Sequence, residues 1–86
     1  MDVLKSQNGI ILERAESAVL SRDYDLAARL YKGLLRTDPQ NKDLLVKLGN
    51  IYVKSGDDKS ALPYFKEIVR TDPENISALN NLGAIY

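Results

Sequence analysis

Arg36-Thr37-Asp38-Pro39-Gln40-Asn41 returns as Arg70-Thr71-Asp72-Pro73-Glu74-Asn75, 34 residues further on. The apolar pattern around it returns in the same register. Ala27, Tyr31, Leu34 and Leu35 stand against Ala61, Phe65, Ile68 and Val69. One lap later, Leu45, Leu48, Gly49 and Tyr52 stand against Leu79, Leu82, Gly83 and Tyr86. A unit of this length cannot bury its own apolar face, so copies must stack, and the product is a solenoid with a concave side.

Inside each unit the spacing is helical. Asn41 is placed as an N-cap, Asp43 sits in the first turn, and Leu44, Leu45, Leu48, Ile51 and Tyr52 follow at helical intervals. Lys54 falls in the last turn, and Gly56 suits the left-handed residue that closes a helix. Asp57 or Asp58 then caps a second helix through Ala61, Tyr64, Phe65, Ile68 and Val69, ended by Pro73. The preceding unit follows the plan with a helix around residues 11–20, Asp23 as cap, and a second helix over 26–36. Asn75 caps a last helix running to Tyr86. Five helices are expected. Gly33 is a weak point worth about 1 kcal/mol against alanine. Pro63 removes one backbone hydrogen bond and is expected to bend its helix.

Composition narrows what such an array can do. The 86-residue chain carries twelve basic and twelve acidic residues, so it has no electrostatic footprint for nucleic acid. Its apolar runs, such as Ile10-Ile11-Leu12, are too short to span a bilayer, and the start lacks a basic flank followed by an apolar stretch. No membrane insertion and a cytoplasmic location are the expectations. Without histidine or cysteine, the commonest general base, metal ligand and thiol nucleophile are all missing. Asp23/Asp25 and Asp57-Asp58 sit where helix caps belong and are read as caps rather than a carboxylate pair. Lys54-Ser55-Gly56 lacks the preceding glycines of a phosphate loop. No catalytic, cofactor or metal site is expected, and the chain is not read as an enzyme.

Leu45, Leu48-Gly49, Tyr52, Ala61, Phe65 and Pro73 together resemble the tetratricopeptide repeat, whose pattern runs W-x-x-L-G-x-x-Y, A-x-x-x-F, P, with leucine here in place of tryptophan. The resemblance covers nearly everything after Gln7. It divides the chain into a lead-in (1–7), a degenerate first repeat (8–41), a second repeat (42–75) and the first helix of a third (76–86). In the first repeat Arg14 replaces leucine and Ala18 replaces tyrosine. A terminal unit facing solvent accounts for such a departure. The implied fold is an all-α helix-turn-helix superhelix, and the implied activity is protein or peptide binding on the concave face lined by first helices.

Projected onto this chain, the resemblance puts Leu12, Glu13, Glu16, Val19 and Leu20 on that face from the first repeat. Asp43, Val46, Lys47, Asn50, Val53 and Lys54 follow from the second, and Ser77, Asn80, Asn81 and Ala84 from the third. Glu16, Val46, Lys47, Asn50, Lys54, Asn80 and Asn81 are the candidate binding residues. Asparagine amides are the best suited, because they offer donor and acceptor to a peptide backbone. A two-carboxylate clamp is not expected, since Val46 and Ser77 stand where it needs lysine. The resemblance also admits a docking region for a catalytic domain outside these residues. The last helix is apolar all round, which leaves two expectations: the chain is a fragment of a longer tetratricopeptide array, or another copy of the chain covers that helix as a further partner.

Overall fold

The computed structural model describes the backbone of residues 3–85 and the side chains of residues 8–85. It holds five helices and, among the described residues, no strand: α1 (Val3–Leu20), α2 (Tyr24–Thr37), α3 (Lys42–Lys54), α4 (Asp58–Thr71) and α5 (Ile76–Ile85). The expected end at Tyr86 lies outside the described residues. α1 starts at Val3 rather than near Ile11. The helix runs through Asn8-Gly9, a pair that ordinarily marks a turn, so that local signal is overridden here.

Each expected cap is made. Asp23, Asn41, Asp57 and Asn75 accept from the amides of Leu26, Leu44, Ser60 and Ala78 at 3.3, 3.1, 3.2 and 3.0 Å. Asp57 rather than Asp58 is therefore the cap of α4, and its other oxygen accepts from the Ser60 hydroxyl at 2.6 Å. Those bonds hold the Asp57 carboxyl below its ordinary pKa.

The two intra-pair turns are built alike. The Asp23 amide donates to the Ala18 carbonyl and the Asp57 amide to that of Tyr52, both at 2.8 Å. Arg22 and Gly56 donate to Val19 and Val53 at 3.0 Å. This is the doubly bonded left-handed helix end, in which the residue after the cap has positive φ. Gly56 adopts φ 85°, and Arg22 takes the same place at φ 62°.

The shortest extent of the Cα trace, 16 Å, fits two helix layers packed 8–10 Å apart. α1, α3 and α5 form one layer, and α2 and α4 lie against it. α3 divides the core. Its Leu44, Leu48 and Ile51 join Ala15, Ala18, Ala27, Ala28, Tyr31 and Leu34, while Leu45 joins Ala61, Phe65, Ile68 and Ala78. Gly49 makes the second cluster close: a Cβ there would meet the Phe65 ring at 2.5 Å. Gly33 faces open space, which fits a local weak spot rather than a helix contact. Pro63 lies inside α4 without ending it, because tertiary packing of Ala61, Phe65 and Ile68 outweighs the lost bond.

Candidate functional site

The concave layer presents two hollows that share α3. The first, ≈ 360 Å³, is lined by Glu16, Val19 and Leu20 of α1, Tyr31 of α2, and Lys47, Asn50, Ile51 and Lys54 of α3. The second, ≈ 520 Å³, lies between α3 and the start of α5 and is lined by Asp43, Val46, Lys47, Asn50, Asn75 and Ser77. Lys47 and Asn50 line both, so one face of α3 separates the two hollows and contributes to each.

The chemistry of the hollows differs. In the first, Val19, Leu20 and Ile51 supply an apolar surface between one carboxylate, Glu16, and two ammonium groups, Lys47 and Lys54. Leu20 is 86% exposed, unusual for a leucine beside a polar rim. Burial raises the pKa of the Tyr31 hydroxyl, and the nearby Glu16 carboxylate adds to that rise. The second hollow is more polar, with Asp43 and Lys47 as its charged groups.

Asn50 and Asn81 meet across the α3–α5 boundary. The Asn81 Nδ2 donates to Asn50 Oδ1 at 3.3 Å. One bond leaves most of the donor and acceptor capacity of the two amides unused. Moving this pair back by one 34-residue period gives Glu16 and Lys47. The first hollow therefore has an acid and a base at the places where the next pair of helices has two bonded amides.

Five candidate residues, Glu16, Val46, Lys47, Asn50 and Lys54, line the hollows, and Asn81 reaches them through Asn50. Asn80 is exposed and lines neither. It is in register with Val46, which borders a hollow because α5 stands beside it. Glu13, projected onto the groove, instead lines a hollow with Arg14, Ser17 and Leu26 on the outer side of α1. Leu12 lines a fourth hollow, with Thr37 and Asn41.

Sequence reasoning missed Tyr31 and Asn75 as groove residues. Tyr31 was legible as seam packing, and only its polar tip, reaching past the seam, brings it to the groove. Asn75 caps α5 and lines the second hollow at once. Spacing also could not show an aromatic ledge away from the groove. There Tyr52 and Tyr64 stack at 5.7 Å with planes 13° apart, and Lys32 Nζ lies 5.3 Å from the Tyr52 ring centre.

Among the described residues, no cluster of acidic side chains could hold a metal ion, and no helix is long and apolar enough to cross a membrane. A family model described as the tetratricopeptide repeat matches residues 18–86. No curated protein matches the chain.

Proposed function

The chain belongs to the tetratricopeptide repeat family, and from that premise we propose that it is a protein-interaction module that receives an extended peptide along its concave face. Members of this family in general scaffold protein–protein contacts. The observation that carries the reading here is that two neighbouring hollows share Lys47 and Asn50 of α3.

The lining suggests what kind of peptide fits. An apolar side chain would rest on Val19, Leu20 and Ile51, and an acidic neighbour would meet Lys47 and Lys54. The Asn50–Asn81 pair suits the peptide backbone, since its remaining groups can both donate and accept. Val46 and Ser77 border the second hollow without charge, and its one ammonium, Lys47, is shared with the first hollow and accompanied by Asp43, so a second acidic group is not favoured there. Asn80 adds to binding where a peptide extends past the end of the second hollow.

A displayed peptide library selected on this chain tests the reading. Selected peptides should carry an acidic residue beside an apolar one, and should bind a Lys47→Ala, Asn50→Ala, Asn81→Ala variant at least about tenfold more weakly. Circular dichroism is the control for folding of the variant. Equal affinity for parent and folded variant would move binding to another face.

A further inference from the structure

Glu16 and Lys47 stand one 34-residue period before Asn50 and Asn81, whose amides bond at 3.3 Å. The same register therefore sets an acid on α1 opposite a base on α3 across the first hollow. The ion pairs among the described residues are Lys42 with Asp72 and Arg70 with Glu67. Glu16, Lys47 and Lys54 belong to neither, and all three are exposed.

The two walls of the hollow differ in charge. The Glu16 carboxylate faces inward, since it is near enough to the buried Tyr31 hydroxyl to add to the rise in that group's pKa. Leu20, one turn further along α1, is 86% exposed, and its counterpart one period on is Lys54. The α1 wall is thus carboxylate and apolar, and the α3 wall carries both ammonium groups. A wholly acidic segment is opposed by Glu16, and a wholly basic one by Lys47 and Lys54. A segment with a base at one end and an acid at the other is opposed by neither. Neighbouring helices stand on the order of 10 Å apart, a span that an extended chain covers in about three residues.

We infer that the first hollow selects a peptide segment of fixed charge order: a basic side chain at Glu16, an apolar one on Val19 and Leu20, and an acidic one at Lys47 and Lys54. Glu16 is then the residue that sets the direction in which the peptide lies. This rests on peptide binding in the concave groove and adds to it the basic residue and the direction.

The test selects one displayed peptide library in parallel on the parent chain, on Glu16→Gln and on Glu16→Lys. Glu16 lies outside both core clusters, and the three residues differ little in helix propensity. A shared Tm is therefore expected, and thermal unfolding checks it. Parent-selected peptides should carry a basic residue about three positions from the acidic one, in a single order along the peptide. The base should disappear from the Glu16→Gln selection and give way to an acid on Glu16→Lys, while the acid that meets Lys47 and Lys54 stays. Replacing the base of a parent-selected peptide by glutamate should weaken its binding to the parent at least about fivefold, and Glu16→Lys should restore it. Selected peptides with the acid but no base overturn this inference and leave the groove reading standing. Enrichment of no peptide that depends on Lys47 and Asn50 overturns both. Tighter binding of a parent-selected peptide by Glu16→Gln also overturns the inference, in favour of Glu16 and Lys47 pairing with each other to close the empty hollow.

Discussion

The α1–α2 and α3–α4 hairpins reach the same geometry with different residues at the places that matter most. Where α3 has Gly49 under the Phe65 ring, α1 has Ala15, fully buried near Tyr31. Where the second turn has Gly56 with positive φ, the first has Arg22. Tyr52 of α3 stacks on Tyr64, while its counterpart Ala18 is a small buried side chain. The first hairpin thus tolerates a methyl in its seam and holds a strained residue in its turn, and the second does neither. A repeat fixes the positions of helices more tightly than the means of holding them.

The largest test of this contrast is Gly49→Ala. The Phe65 ring must move, and overpacking costs about 1–3 kcal/mol. The better helix propensity of alanine returns about 1 kcal/mol of that. A net loss of up to about 2 kcal/mol in urea unfolding is expected. No loss would mean that the second seam is as forgiving as the one around Ala15.

The turns give a smaller and opposite pair of effects. Arg22→Gly removes a left-handed non-glycine residue and should stabilise by about 1 kcal/mol, because that conformation crowds Cβ against the backbone. Gly56→Arg should lose a similar amount. Equal unfolding midpoints for parent and Arg22→Gly would show that the first turn relaxes without cost.

The smallest effect is a pH dependence that only the first seam aromatic can show, since Phe65 does not titrate. Burial, helped by Glu16, raises the Tyr31 pKa above its ordinary value of 10.0. The folded state then holds the proton more tightly than the unfolded one. That contribution is complete below pH 10.0 and is lost as pH rises through the folded value. Tyr31→Phe should flatten the fall of the urea midpoint across this alkaline window, leaving the part due to Tyr64, whose pKa burial also raises. An identical fall in parent and variant would remove Tyr31 from the account.

Much of this was legible in the residues. Asp23, Asn41, Asp57 and Asn75 announce helix starts because their short oxygen-bearing side chains do one local job well. Gly56 announces its turn for a similar reason. Arg22 gives no such sign, since its side chain carries no preference for positive φ, and alignment with Gly56 is the only clue. The start of α1 at Val3 was hidden because Ser6 reads as a cap and Asn8-Gly9 as a turn, yet all three lie inside the helix. Lys47, Asn50 and Lys54 are placed by what the family resemblance implies for first helices, and all three line the first hollow. Glu13 does not join them, because it lines a separate hollow with Arg14, Ser17 and Leu26 of α2.

The stacked rings of Tyr52 and Tyr64 have an optical consequence. The sequence contains no tryptophan, so near-ultraviolet signals come chiefly from tyrosine. One ring of the stack stands on α3 and the other on α4. Their coupled dichroism therefore reports the closure of a single hairpin, in an unlabelled chain, independently of the far-ultraviolet signal that records total helix.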